Sequence, residues 1–319
     1  MNVAVTGAAG YVGQRLMARL GANPNVEQIV GLDIQPLETP PPPNGVFQTL
    51  DIRDPALGEI LRHYGIDTLV HAAFILFPHP RRLALMEQVN VGGTANVLRA
   101  CREARIRRLV VLSSIVAYGA WSDNPIPLTE EHPLRPNPTY PYGVHKGQVE
   151  RLCQEFSKEH PQTACIILRP PGILGPRARG PLADFLRRPR AVIVDGGRAP
   201  GQFVHEDDLV DLIEKSLQSD ARGPFNATPD DWLPWREIWS RAGKQLMNFL
   251  WPVARLVFGL LWQIEQMDCV THPGQVNLTR FPLVASNEKA RRELNWQPAY
   301  TTLQTVQDFL AGERDESSH

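Results

Sequence analysis

Val3-Ala-Val-Thr-Gly-Ala-Ala-Gly-Tyr-Val-Gly13 is a short apolar run that breaks into three glycines. A strand of small β-formers, a turn holding Gly7 and Gly10, and a helix opening near Gly13 would aim backbone N–H groups at a phosphate. Glycine suits such positions because a Cβ would collide with a dinucleotide backbone and because tight turns need positive φ. Glycines spaced three apart also occur in ordinary turns, so the segments that follow decide the reading.

The chain has 319 residues, 43% hydrophobic and 21% charged, with a net charge of −1. That is the composition of a soluble globular protein with one large core or two smaller ones. No charge excess points to nucleic acid or to an anionic membrane. Cys101, Cys153, Cys165 and Cys269 are scattered without a C-x-x-C pair, so neither a zinc site nor a disulfide framework is expected, and no metal is assigned. No basic stretch followed by a long apolar run opens the sequence, and a cytoplasmic location is expected. Pro40 to Pro43 reads as a surface loop between elements.

After Gly13, the i, i+4 spacing of Val12, Leu16 and Leu20 predicts a helix ending near Gly21-Ala-Asn-Pro24. A second strand, Gln28 to Asp33, places Asp33 twenty residues beyond Gly13, where a carboxylate can accept hydrogen bonds from an adenosine ribose. A 2′-phosphate would be repelled there, and Ile34-Gln35-Pro36 offers no cation to receive one, which favours NAD over NADP. Asp33 as a plain strand-end residue is the alternative. Strands then follow at Gly45 to Asp51, Asp67 to Ala73 and Arg108 to Ser114, with helices around Leu57 to Leu61 and from Arg82 to Ala104. This alternation predicts an α/β fold, a doubly wound parallel sheet of the Rossmann type. His71 reads as a satisfied buried histidine. Asn90 lies in a helix stretch of small residues and could meet backbone near the site.

Asn137-Pro-Thr-Tyr-Pro-Tyr142-Gly-Val-His-Lys146 carries the chemistry. Pro141 suits a first helical turn, so Tyr142 and Lys146 share one helix face at i and i+4. A phenol's pKa near ~10 is too high for a base at neutral pH, but a neighbouring ammonium and an oxidised nicotinamide would favour the phenolate. Tyr142 is thereby a candidate general acid/base, with Lys146 holding ribose hydroxyls and lowering the tyrosine's pKa.

In these features the chain resembles the extended short-chain dehydrogenase/reductases of the NAD-dependent epimerase/dehydratase family. The likeness covers Thr6 to Gly13, Asp33, Asp51-Ile52, His71 to Ala73, Asn90, Ser113 to Gly119, Tyr142 to Lys146, Arg169-Pro170, Phe203 to Leu209 and Ala285 to Pro298. It implies Ser114, Tyr142 and Lys146 as catalytic residues. It also implies Gly7, Ala9, Gly10, Tyr11, Val12, Gly13, Asp33, Asp51, Ile52, Ala72, Ala73, Asn90, Lys146 and Pro170 as NAD contacts. Ser114 is preferred to Ser113 because the family's serine lies four residues before the tyrosine of a Tyr-Gly pair, here Tyr118-Gly119.

Departures from the family pattern bear on the reaction. The acidic pair of sugar-nucleotide 4,6-dehydratases is replaced by Ile115-Val116 after Ser114, and no cysteine of the GDP-fucose-synthase type stands beside the serine. Gly172 and Leu174 stand where nucleotide-sugar epimerases show an asparagine and a tyrosine, and Gln202 precedes Phe203 where a cation is frequent. Arg198 and Arg280 are candidate diphosphate cations. The Pro-Gly-Ile variant resembles hydroxysteroid-type dehydrogenases with less polar substrates. From Leu246 to Gln263 the sequence predicts a helix apolar almost all round, shorter than the ~20 residues of a membrane span. It reads as substrate-domain core, as an apolar pocket or dimer face, or as a peripheral membrane contact.

The expected organisation is an NAD-binding domain over 1–168 and about 201–222, with a substrate-binding region over 169–200 and 223–319. The expected activity is hydride transfer at a substrate alcohol carbon, the substrate being a sugar nucleotide or an apolar alcohol. Return of the hydride makes an epimerase, and product release makes a dehydrogenase. An NAD(H)-binding sensor or assembly factor is the non-enzyme alternative. A homodimer is expected, with no nucleic-acid partner.

Overall fold

The computed structural model describes residues 1–264 and 272–316. The first half runs β1 (Asn2–Thr6), α1 (Tyr11–Gly21), β2 (Gln28–Asp33), β3 (Gly45–Thr49), α2 (Leu57–His63), β4 (Thr68–His71), α3 (Leu83–Glu87), α4 (Thr94–Ala104), β5 (Arg108–Leu112), α5 (Pro141–Glu159) and β6 (Ala164–Arg169). The second half runs β7 (Gly172–Leu174), α6 (Pro181–Arg187), β8 (Arg190–Val194), β9 (Pro200–Gly201), β10 (Phe203–His205), α7 (Glu206–Leu217), β11 (Gly223–Asn226), β12 (Leu233–Pro234), α8 (Trp235–Arg241), β13 (Gln245–Phe249), α9 (Trp251–Gln263), α10 (Val276–Arg280), α11 (Glu288–Leu294) and α12 (Thr302–Glu316).

Seven strands form one parallel sheet in the order β11-β6-β5-β4-β1-β2-β3. Strands buried on both faces need apolar residues at every position, and Val3, Ala4, Val5, Leu69 and Val70 are fully buried. One face packs Val5, Leu16, Leu20, Ile213 and Phe225 into a core with Trp296. The other packs Ala4, Val30, Leu57, Leu98 and Val149. A third cluster, around Leu174, Phe203, Ile238, Trp239 and Phe309, forms the core of the region beyond the sheet. Cys101, Cys153 and Cys165 are buried free thiols, and Cys269 lies outside the described residues.

Several expected element boundaries shift. Three strands end two residues early, at Thr49, His71 and Leu112, because an apolar run does not mark where ladder bonding stops. Asp51, Ala73 and Ser114 thereby sit on loops above the sheet. The helix expected from Arg82 to Ala104 contains a π-helical turn over Gln88–Gly93, where Asn90 turns its amide onto the Ile75 backbone. The sheet continues to Asn226 through β11. The stretch expected as one helix from Leu246 is divided: β13 pairs in parallel with β8, and α9 starts only at Trp251 with Pro252 in its first turn, the one helical position that tolerates proline without losing a hydrogen bond.

A buried ion pair ties the sheet to α5. Arg169, at the end of β6, donates to both oxygens of Glu150 on α5, at 2.5 Å from Nη2 to Oε2, with side chains 2% and 0% exposed. Ser113 Oγ donates to Glu150 Oε1 at 2.5 Å, Arg169 Nη1 donates to the Tyr118 hydroxyl at 2.6 Å, and that hydroxyl donates to Asn226 at 2.9 Å. Breaking such a pair leaves an uncompensated buried charge. Arg169→Met is expected to cost about 3–5 kcal/mol in denaturant unfolding, much of it regained when Glu150→Leu is added; a loss under about 1 kcal/mol for the single variant contradicts this.

Candidate active site

β1 and β4 are neighbours in the sheet although the chain leaves them toward opposite ends of the strand order, and ligands of such sheets bind in the crevice above this switch point. The glycine turn fills it. Gly7 has φ +75°, and a Cβ there would lie 2.5 Å from Ala73 N and 2.7 Å from the Ala72 carbonyl carbon. A Cβ on Gly13 would lie 2.0 Å from Gly7 O. These two glycines are therefore required by the protein's own backbone, with or without a dinucleotide. At Gly10 the nearest atom to a Cβ is Gly7 O, at 3.2 Å, so this position opens onto the cavity. α1 starts after Gly10 with no side-chain cap, which leaves its first-turn N–H groups directed at whatever enters.

Ala9 and Asp33 lock the turn to β2: Ala9 N–H donates to Asp33 Oδ2 and Gln35 N–H to Oδ1, both at 3.0 Å. Asp51 pairs with Arg53 at 2.6 Å, and that guanidinium holds its carboxyl below the usual range. Ile52 is buried under Gly93, where a Cβ would meet Ile52 Cδ1 at 2.5 Å. Tyr11, Val12, Ala72 and Pro170 line the cavity, and the Tyr11 hydroxyl donates to Glu206. Asn90 does not line it. Its Oδ1 accepts from Ile75 N at 2.8 Å and its Nδ2 donates to Ile75 O at 3.0 Å, so it pins the loop after β4 from beneath.

Tyr142 and Lys146 lie one turn apart on α5, as their spacing predicts, and line the same cavity as the glycine turn. The Ser114 hydroxyl lies beside the Tyr142 phenol, accepts from Val116 N at 3.2 Å and donates to Pro170 O at 3.1 Å. Ser113 is committed elsewhere, to Glu150, so of the two serines Ser114 is the one beside the phenol. Burial pushes Tyr142 up to about 12, against the lowering by Ser114. Burial brings Lys146 down to about 7. The expected lowering of the tyrosine by Lys146 is not found here: the Lys146 amine donates to Leu112 O at 2.6 Å and sits 3.4 Å from the Phe74 ring centroid but 5.7 Å from that of Tyr142. His71 bridges Thr6 and Thr94 at 2.8 and 3.0 Å and is lowered to about 3, mainly by burial, the satisfied core histidine the sequence suggests.

The cavity holds about 490 Å³. Beyond the serine and tyrosine its wall is apolar, with Phe185, Leu186, Phe203, Trp235 and Trp239 among its residues. Its charged residues are Lys146, Arg179 and Arg190, and among the described residues no carboxylate lines it. Gln202 lines it but has its amide spent on the Pro229, Asp231 and Ala285 backbone. Arg280, a sequence candidate for a diphosphate, is paired with Asp195 at 2.9 Å. Phe74 and the Trp235–Trp239 stack, with centroids 6.3 Å apart, were not predicted. The i, i+4 spacing of the two tryptophans was the available signal. No group of three or more metal-ligating side chains is found among the described residues.

Residues 3–227 match the NAD dependent epimerase/dehydratase family. An uncharacterized protein of Mycobacterium tuberculosis is 28% identical over 320 residues, covering 97% of this chain and 83% of its own. The N-acetyl-alpha-D-glucosaminyl-diphospho-ditrans,octacis-undecaprenol 4-epimerase of Escherichia coli O157:H7 is 31% identical over 227 residues, covering 70% of this chain and 65% of its own. Among solved structures, MoeE5 in complex with UDP-glucuronic acid and NAD has the same fold, with a TM-score of 0.79 at 22% identity over 99% of this chain and 100% of its own. Both the order of the sequence features and the geometry they produce are accounted for in the same way: the chain belongs to the NAD dependent epimerase/dehydratase family.

Proposed function

We propose that this protein is an epimerase that inverts a carbinol carbon of a sugar carried through a diphosphate on an apolar group. The observation that carries the reading is a single cavity joining the glycine turn, the Ser114–Tyr142–Lys146 set and an apolar wall that holds two arginines and, among the described residues, no carboxylate. The E. coli relative is named for a substrate of this kind.

The residues present fit NAD. The open position at Gly10 and the uncapped start of α1 suit a pyrophosphate, Asp33 retains lone pairs for ribose hydroxyls, and Lys146, on the same cavity, would hold the second ribose. When bound, NAD supplies the hydride acceptor and donor, and in its oxidised form a positive charge. Tyr142 takes the proton of the substrate hydroxyl while Ser114 donates a hydrogen bond to the same oxygen. Burial moves the phenol still further from losing its proton at neutral pH, so its loss of a proton depends on positive charge arriving in the site. Inversion requires the ketone to present its other face. An apolar wall, without directional hydrogen bonds to one sugar orientation, permits this turn, while Arg190 holds the diphosphate; Arg179, also on the wall, is paired with Glu38 at 2.7 Å. Among the described residues no carboxylate lines the cavity to serve as an acid at a departing hydroxyl, which does not favour water elimination.

A second reading, dehydrogenation of an apolar alcohol, is favoured by Gly172 and Leu174 in place of the family's amide and phenol. N-acetylglucosaminyl diphosphate on a polyprenol separates the two: the proposed activity yields the inverted sugar without accumulation of NADH, and accumulation of NADH or absence of any conversion contradicts it.

Tyr142→Phe is expected to lower kcat by about 100-fold to 10,000-fold while NAD affinity, read by titration, stays near that of the parent; near-normal turnover removes Tyr142 from the acid/base role. NAD is expected to bind at least about tenfold more tightly than NADP because of Asp33, and the reverse order in the same titration shows Asp33 to be misassigned. Lys146 has a folded value of about 7 against 10.5, so between those values the unfolded chain binds its proton more strongly and stability rises with pH, with the full penalty present below them. Lys146→Met is therefore expected to raise Tm at about pH 6, less so toward about pH 10, while turnover is lost. A lower Tm at the acid end contradicts this.

A further inference from the structure

The inward side of α9 carries Ala254, Val257, Phe258 and Leu261, at the three- and four-residue spacings that repeat along one side of a helix. Below it lies the two-stranded sheet of β8 and β13, whose parallel register sets Val192 beside Met247 and Val194 beside Phe249. Alternate residues of a strand share one face, so these four point the same way. Helix and sheet close together where Ala254 is buried with Val194. Elsewhere they part and leave a groove of about 550 Å³, in which Met247, Phe249, Phe258 and Leu261 are only partly buried. A packed interior leaves few voids larger than a water molecule, whereas an apolar space of this size is typical of a ligand site.

The groove is continuous with the catalytic cavity: Phe185, Arg190, Val192 and Phe258 line both. The junction is therefore apolar around one guanidinium. Arg190 is exposed, and its side chain has no hydrogen-bond or ion-pair partner among the described residues. Arg188 also lines the groove but is already engaged, in part over the Phe185 ring at 5.9 Å. The acidic residues nearest in sequence, Asp184 and Asp195, line neither space, and Asp195 is paired with Arg280 at 2.9 Å. On the Gly172 side of the cavity a polar ligand finds less. A Cβ on Gly172 would lie 2.8 Å from two carbons of the Phe203 ring, so no polar side chain fits there unless that ring moves, and the Gln202 amide is spent on backbone. Reacting groups at Ser114 and Tyr142, then one unpaired cation, then an apolar groove form a succession that matches an anion bearing a hydrocarbon arm.

We propose that the groove between α9 and the β8–β13 sheet is the subsite for the hydrocarbon chain of a diphosphate-linked carrier, with Arg190 at its mouth on the diphosphate. Placing the carried sugar at Ser114 and Tyr142 rests on the proposed activity, whereas seating of a prenyl diphosphate rests on the groove and Arg190 alone.

The test is calorimetric titration of the full chain, loaded with NAD, with dimethylallyl, geranyl and farnesyl diphosphate, which differ by one isoprene unit at each step. Kd is expected to fall by at least about tenfold from the shortest to the longest, because each added unit buries further methylene and methyl groups. Leu261→Trp, which fills the groove, and Met247→Glu, which sets a charge against the chain, are each expected to abolish that gain while keeping the parent's NAD affinity, which reports an intact fold. Arg190→Gln is expected to weaken all three compounds by about tenfold and to leave the gain with length. Leu256→Glu, on the outward side of α9 where Leu256 is 63% exposed, is expected to change nothing. Equal Kd for the three compounds, or a gain that survives both Leu261→Trp and Met247→Glu, overturns the proposal. So does UDP binding more tightly than farnesyl diphosphate and losing that affinity in Met247→Glu, which assigns the groove to a nucleoside. A gain abolished by Leu261→Trp in a protein that inverts no diphosphate-linked sugar upholds the groove and removes the epimerase reading, and inversion without any gain does the reverse.

Discussion

The Glu150–Arg169 pair is the constraint on which the site's geometry depends. A carboxylate and a guanidinium withdrawn from water must satisfy one another and their remaining hydrogen-bonding capacity, and here they do so through Ser113, Tyr118 and Asn226. Each partner has a functional neighbour in the chain. Ser113 precedes Ser114, Arg169 precedes Pro170, whose carbonyl accepts from Ser114, and Glu150 lies one helical turn beyond Lys146. The network thus fixes the ends of β5 and β6 and the rotation of α5 together. Side chains from three elements meet at the cavity because their immediate neighbours have no freedom to move.

The glycine turn works through a different limit, the closeness of backbones. Gly7 and Gly13 are required because Ala72, Ala73 and Gly7 itself occupy the space a Cβ would need. This close packing brings the start of α1 onto the crevice between β1 and β4, where all three glycines line the cavity and Gly10 alone of them has room for a Cβ. Rigid packing of two glycines is what leaves the third with room on its cavity side.

Much of the fold was legible in the sequence because alternating apolar strands and amphipathic helices leave strong local signals. The glycine turn, Asp33 and the Tyr142–Lys146 pair were legible because their spacing is set within one turn or one strand-helix unit. What escaped depended on distant partners. Glu150 shares its helix face with Lys146, but its role follows from Arg169, nineteen residues later. The apolar wall comes from α6, α8 and the strands beside them, whose juxtaposition no local pattern states. The division of 246–263 into β13 and α9 escaped because continuous apolarity fits a strand and a helix equally, and the choice was made by pairing with β8 and by Pro252.

The chemistry proposed for the cavity is removal and return of a hydride at one carbinol carbon, with Tyr142 exchanging only the hydroxyl proton. Following a deuterium label placed on that carbon of a diphosphate-linked sugar through complete inversion tests this most directly. The account predicts that the inverted product retains the deuterium on the same carbon, with none in the solvent. Loss of the label to water would instead indicate removal of that hydrogen as a proton, and would contradict the account.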